Sequence, residues 1–182
     1  YIDISKPFIT IMFHPVTSEF GNAELQIKNI LSAINKFKVQ KIFFWPNSDA
    51  GYEDISRGIR KWREKKGDKN TRYIKNLEQK FFYHILNKTI CLIGNSSSGL
   101  REGCYIGVKN LCVGSRQNGR EIGKNTKMIS NDYKSIFNAI SKCMIDKNKK
   151  KIDYRYGKGD AGKKIVKIIE SSNLNSQKKL LY

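Results

Sequence analysis

Cys91-Leu-Ile-Gly-Asn-Ser-Ser-Ser-Gly-Leu-Arg-Glu-Gly103 runs from an apolar segment, through a small polar turn, into the start of an amphipathic one. The apolar half reads as a buried strand, and the turn that stops it is built from residues that favour helix starts. A strand that feeds a helix in this way is one step of a strand–helix–strand unit. The turn also collects backbone N–H groups and the positive end of a helix dipole at one point, which suits a phosphate. Just downstream, Val113-Gly-Ser-Arg-Gln-Asn-Gly-Arg120 brings Arg116 and Arg120, on a Gly-rich loop, to the end of the next strand. Together the two stretches predict a site for a doubly anionic phosphate ester such as a nucleotide diphosphate.

Working outward, the rest of the chain repeats the same alternation. Phe8-Ile-Thr-Ile-Met-Phe13 reads as a first strand, stopped by Pro15. Glu19 to Phe37 carries Phe20, Ala23, Ile27, Ile30, Leu31, Ile34 and Phe37 at helical spacing. Lys41 to Trp45 is a second strand ended by Pro46, and Asp49 is placed to begin a helix over Tyr52 to Lys65 that stops at Gly67. Arg72 to Lys75 is a third strand, followed by a helix over Glu78 to Asn87. The opening stretch supplies a strand at Thr89–Ile93 and a helix at Gly99–Ile106. Then come a strand at Asn110–Val113, a short strand at Lys127–Ile129 and a helix over Asp132 to Ile145. Residues 146–159 predict a basic surface connection, and 160–172 a closing helix carrying Ile165, Ile168 and Ile169, with a frayed tail beyond. The expectation is an α/β fold: one domain over 1–182, with a Rossmann-like parallel sheet covered by helices on both faces.

Composition narrows the partners. Hydrophobic residues make up 39% of the 182, with nine Phe and nine Tyr, which suits a packed core and not a disordered chain. The net charge of +19 admits an anionic partner or simply lysines solvated over the whole surface. Only Lys147 to Lys151 form a dense run, and no aromatic ladder of the single-strand-binding kind lies beside it, so no nucleic-acid partner is expected. Cys91, Cys104, Cys112 and Cys143 form no close ligand pair, and His14 and His84 add none, so neither a metal nor another cofactor is expected. Cys91 and Cys112 lie in apolar runs, as small buried hydrophobes do, and free thiols fit a reducing cytoplasm. No signal peptide or membrane-length apolar run is visible, so no membrane partner is expected either. The chain opens on Tyr1 and not on Met, which reads as a fragment lacking an N-terminal part.

In an open parallel sheet, ligands bind beyond the C-terminal strand ends. The candidate strands here end in His14, in Asn47 and Asp49, in Asn76, in Asn95 to Ser98, and in Ser115 to Arg120. Their convergence on one crevice says more than any single motif. Three consecutive serines exceed what an N-cap needs. Glu102 can accept hydrogen bonds from the two hydroxyls of a ribose, or complement the helix dipole; Arg101 stands where a Ser98 capping box would place its acid. Arg116 and Arg120 can clamp a diphosphate in a bidentate way, or belong to an ordinary surface loop. Gly114, Gly119 and Gly123 predict tight turns or close approach to a ligand. His14 can donate to a phosphate, act as an acid or base, or be structural; His84 has no assigned role. No G-x-G-x-x-G, Walker loop or nucleophile signature is present.

Four motifs occur together and in order: His14-Pro-Val-Thr-Ser-Glu19, Trp45-Pro-Asn-Ser-Asp-Ala-Gly51, Ile93-Gly-Asn-Ser-Ser-Ser-Gly-Leu-Arg-Glu102 and Gly114-Ser-Arg-Gln-Asn-Gly-Arg120. They resemble the C-terminal half of the UDP-N-acetylglucosamine 2-epimerase family, over nearly the whole chain from Phe8 to Ile169. The resemblance implies the second, nucleotide-binding domain of a GT-B type enzyme with two Rossmann-like domains, the nucleotide-sugar lying between them. His-Pro-Val-Thr resembles the hydrolysing branch; the other branch has Arg and Glu-Asn after this His. That branch converts UDP-N-acetylglucosamine and water to N-acetylmannosamine and UDP, for sialic or related nonulosonic acid synthesis. It does so by eliminating UDP to a 2-acetamidoglucal, which is then hydrated.

The resemblance also implies roles. Ser96 and Ser97, beside Asn95, would bind the diphosphate. Arg116 would stabilise the charge of the leaving group, and Glu102 would hold the ribose. The backbone near Leu77 would contact the uracil, Asn47 would lie near the nucleotide, and His14 near phosphate and sugar. The acids that move protons at C2 belong to the family's N-terminal domain, so the isolated chain is expected to bind UDP without turnover. The full-length enzyme is expected to be a homo-oligomer. Two other readings stay open: the donor domain of another GT-B glycosyltransferase, against which the Ser115-to-Arg120 loop argues, and a basic nucleic-acid-binding module, whose affinity would fall steeply with salt.

Overall fold

The computed structural model describes residues 2–66, 70–146, 148 and 150–172. Among these residues six strands form: β1 Phe8–Met12, β2 Gln40–Phe44, β3 Thr71–Ile74, β4 Leu92–Gly94, β5 Asn110–Val113 and β6 Thr126–Ile129. They pair in the order β3-β2-β1-β4-β5-β6, and every pairing is parallel. Between and after them lie α1 Ala23–Ile34, α2 Tyr52–Lys66, α3 Gln79–Lys88, α4 Ser97–Leu100, α5 Glu102–Ile106, α6 Tyr133–Ile145 and α7 Ala161–Ser171.

The period of two along each strand sends side chains to both faces. Ile9, Ile11, Phe43 and Ile93 turn to the face covered by Ile27 and Ile30 of α1, Ile55 and Ile59 of α2, and Ile136 and Ile140 of α6. Phe8, Ile42 and Phe44 turn the other way, onto Ile85 and Phe82 of α3, and Leu92 meets Leu86 and Val108 there. Each fully buried Ile, Leu or Phe stabilises the fold by about 1.5–3 kcal/mol. The α/β fold expected from the alternation, a parallel sheet with helices on both faces, is therefore the fold observed.

Two elements differ from expectation. The helix read from Glu19 begins at Ala23, after a 3-10 turn at Thr17–Glu19. Gly21 between them has φ 92°, a left-handed conformation that a right-handed helix cannot include, and Phe20 is left 75% exposed. The helix read over Gly99–Ile106 is two pieces, because Arg101 (φ −87°, ψ −79°) ends α4 and starts α5. Other bounds agree within a few residues. The stop at Gly67, the lysines at 147 and 149 of the basic run, and the tail from 173 lie outside the described residues.

The described residues of 146–159 hold no helix or strand. They are tied to the body by Asp153 N–H to Cys104 O (3.0 Å) and Tyr156 Oη to Glu121 O (2.6 Å). None of the residues of α7 is buried.

The sheet order positions the site. From β1 the chain steps outward to β2 and β3, then returns on the other side of β1 to lay down β4. The C-terminal ends of β1 and β4 therefore flank the point where strand order reverses, which is where the ligand crevice of an open parallel sheet lies.

Candidate functional site

His14 follows β1 and Asn95 follows β4, and the two are latched across that crevice. Asn95 Oδ1 accepts the His14 N–H at 2.8 Å, and Asn95 Nδ2 donates to the His14 carbonyl at 2.8 Å. The Asn95 N–H reaches Met12 O (3.1 Å), and its carbonyl accepts from Gln117 Nε2 (2.7 Å). Asn95 is fully buried, and each of its polar atoms has a protein partner, so it acts as a fixed link between the two strand ends.

The His14 ring is 5% exposed, and its Nδ1 accepts the Asn47 N–H at 3.0 Å. That bond places the ring proton on Nε2, which donates to no described protein group. Burial, followed by the Arg116 charge, pushes the imidazole pKa down to about 4, against an opposing pull from Asp49. At neutral pH His14 is thus an uncharged donor, fixed by the backbone of Asn47, whose own side chain is exposed.

Arg116 comes from the β5–β6 loop and reaches across to the β2–α2 loop, where its guanidinium lies 3.2 Å from Asp49 Oδ2. The Asp49 carbonyl accepts the N–H of Tyr52, the first residue of α2, at 2.9 Å, as its position in the turn suggested, while its carboxylate is drawn to the cation. Gln117 is buried beside Arg116. Ser115 donates to Glu19, which also accepts from Gln26 of α1, so the start of the Arg loop is tied to the turn after β1. Arg120 is exposed, without an ion pair among the described residues, and does not join Arg116 in a clamp.

In the serine turn, Ser96 Oγ accepts the Ser98 N–H at 3.3 Å, which caps α4. The N–H groups of Ser96 and Ser97 have no protein acceptor among the described residues. The helix behind them is only four residues long, so local N–H groups, and not a long macrodipole, supply the positive potential. Of the loop glycines, Gly114 and Gly119 both have φ 78° and make the turns, whereas Gly123 is a packing residue: a Cβ there would lie 2.3 Å from Cys104 Sγ.

Glu102 and Leu77 make no hydrogen bond to this network. Leu77 is 36% exposed in the turn before α3. Glu102 Oε2 is buried without a partner, and the residue lines a cavity of about 890 Å³ with Tyr83, His84, Tyr105 and Tyr156. A buried carboxylate oxygen left unpaired is unfavourable until something donates to it, and a sugar hydroxyl can. Among the described residues no cluster of His, Cys, Asp and Glu could hold a metal ion, and no helix is long and apolar enough to cross a membrane.

Set beside known proteins, residues 3–170 match the family described as UDP-N-acetylglucosamine 2-epimerase. The chain is 30% identical over 179 residues to a UDP-N-acetylglucosamine 2-epimerase of Neisseria meningitidis, covering 93% of this chain and 45% of that protein. It is 29% identical over 177 residues to a hydrolyzing UDP-N,N'-diacetylbacillosamine 2-epimerase of Legionella pneumophila, covering 96% and 45%. The chain thus spans less than half the length of these relatives. In fold it is similar to the N. meningitidis UDP-GlcNAc 2-epimerase solved with UDP-GlcNAc, with TM-score 0.69 at 15% identity over 94% of this chain and 46% of that one. Similarity to the S. aureus MnaA–UDP structure is close to this, with TM-score 0.68 at 16% identity over 92% and 45%. Because the family match runs over nearly the whole length, and the sheet that frames the crevice is shared with solved members, the chain belongs to the UDP-N-acetylglucosamine 2-epimerase family.

Proposed function

We propose that this chain is the C-terminal, nucleotide-binding half of a hydrolysing 2-epimerase that acts on a UDP-linked 2-acetamido sugar in the cytoplasm. One observation carries the reading. At the switch point, the Arg116 guanidinium, the neutral His14 Nε2–H and the unclaimed N–H groups of Ser96 and Ser97 all belong to strand ends tied together through Asn95.

In the proposed reaction a proton leaves C2 of the sugar and the C1–O bond breaks. The electron pair from C2–H becomes the C1=C2 bond of a 2-acetamidoglucal, and the oxygen departs with UDP. Water then adds its oxygen to C1 and a proton to C2 from the opposite face, giving the epimer. The diphosphate gains negative charge as it leaves, and donors fixed beforehand around that position lower the barrier most. Arg116 supplies the full positive charge. His14, uncharged at neutral pH, supplies a hydrogen bond and no proton of its own. Asp49 holds the guanidinium across the crevice before the nucleotide arrives. Glu102 takes the ribose hydroxyls and the backbone at Leu77 the uracil. The groups that move the C2 proton lie on the partner half, in a homo-oligomeric full-length enzyme.

Titrating the 182-residue chain with UDP, GDP and a short oligonucleotide at two salt concentrations tests this. UDP binding that survives the higher salt is expected, because it rests on a few directed bonds. Arg116→Ala should weaken it at least ~10-fold, as loss of one charge-assisted contact does. Preference for the oligonucleotide, with steep salt dependence, would sink the proposal. Release of N-acetylmannosamine by the isolated chain would show that the proton chemistry resides here after all.

A further inference from the structure

At the opposite end of the sheet from the crevice, the N-terminal ends of β5 and β6 open into a cavity of about 700 Å³. Lys109 precedes β5, Lys124 and Lys127 bracket the start of β6, Lys142 comes from α6, and Lys151 and Asp146 from the connection; all line it. Asp146 is the acidic member of this lining, and it is already engaged, with Lys109 Nζ 3.1 Å from its Oδ2. Lys124, Lys127, Lys142 and Lys151 have no carboxylate within ion-pair distance among the described residues.

Lysines scattered on a convex surface relieve their repulsion by spreading into water. Here the fold roots them on four separate segments around one concavity, where low-dielectric walls focus the field. The floor offers nothing to neutralise it. Asn110 Nδ2 donates to Thr126 Oγ1 (3.0 Å), and Asn125 Nδ2 to Gly99 O and Val108 O (3.0 Å each), so these amides hold the shape of the cavity. The Cys143 thiol at its edge is pulled below the usual thiol range, first by the hydrogen bond it accepts from the Cys91 thiol and, further, by the ammonium groups of Lys109 and Lys127. Leu111 and Ala139 add an apolar wall.

We infer that this cavity is a second ligand site, distinct from the strand-end crevice, for a small molecule carrying several linked phosphate groups. The volume falls within the range of small-molecule sites. A single phosphate would leave most of the four unpaired ammonium groups uncompensated, whereas a chain of phosphates reaches several at once.

The test is calorimetric titration of the chain with inorganic tripolyphosphate and with orthophosphate. It is paired with alkylation of the cysteines, mapped by mass spectrometry. Tripolyphosphate should bind more tightly than orthophosphate and slow alkylation of Cys143, while Cys91, Cys104 and Cys112, fully buried, serve as unreactive controls. The triple variant Lys127→Gln/Lys142→Gln/Lys151→Gln, all exposed positions, should raise the tripolyphosphate Kd by about tenfold and leave UDP titration unchanged. Absence of binding heat, equal binding by the triple variant, or tighter binding of an oligonucleotide than of tripolyphosphate would overturn the inference.

Discussion

His14 occupies a position where folding dictates its charge. Its pKa is about 4 in the folded chain against an ordinary value of 6.5. Between those values the unfolded chain binds a proton that the folded chain refuses, so stability falls as pH drops from 6.5 toward 4 and levels off below. A shift of this size corresponds to roughly 3 kcal/mol at most. Denaturant melts at pH 7 and pH 4.5 should show a larger loss for the native chain than for His14→Asn, whose side-chain oxygen can still accept the Asn47 N–H. The carboxylates held low by their hydrogen bonds, such as Asp132 and Asp153, titrate in both variants and cancel in the comparison. Equal losses would mean that the imidazole is not kept neutral, and the uncharged-donor role would fall with it. Asp49 bears on the same residue, since its charge raises the His14 pKa while its oxygen holds Arg116. One carboxylate thus couples the state of the histidine to the placing of the arginine.

Among the elements, the seam between β1 and β4 carries the site, and Gly94 sets how closely the two strands approach. It ends β4 opposite Met12 with φ 142°, and a Cβ there would lie 1.9 Å from the Met12 carbonyl oxygen. Gly94→Ala should therefore cost more than ~3 kcal/mol, through strain and a displaced seam, and should loosen the His14–Asn95 latch. A soluble Gly94→Ala chain with unchanged melting and UDP binding would show that the seam has room to adjust. The strands were legible in the sequence because the runs are bounded by Pro, Gly or Asn and, except at β5, followed by helical spacing. The break at Arg101 was not, because Leu100 and Cys104 keep helical phase across it. The two pieces pack tightly on either side of the break: a Cβ on Gly99 would lie 2.4 Å from the Asn110 side chain, and one on Gly103 2.8 Å from Val108. In the crevice, Arg116 and the serines stood out as residue types. The pairing of Arg116 with Asp49, of Gln117 with the Asn95 carbonyl and of Ser115 with Glu19 did not, because contacts between loops after different strands depend on sheet order, which local patterns do not encode.

At the scale of the molecule, α7 carries a large apolar face that is uncovered among the described residues. Ile165, Val166, Ile168 and Ile169 of α7 are 55%, 53%, 62% and 49% exposed, although their spacing is that of a helix made to bury a face. An apolar helix face open to water promotes association. Under the proposed reading, the other half of the enzyme covers it. Replacing Ile165 and Ile168 with Lys separates the alternatives. In the isolated chain the double variant should melt at the same temperature, since α7 buries nothing against the sheet, and should sediment with less self-association. In the full-length enzyme the same change removes up to about 1.5–3 kcal/mol of burial per side chain, so melting temperature and turnover should both fall. A drop of several degrees in the isolated chain would instead place the cover of α7 on this body. Then the apolar face would say nothing about a second half, and the two-domain reading would rest on the crevice alone.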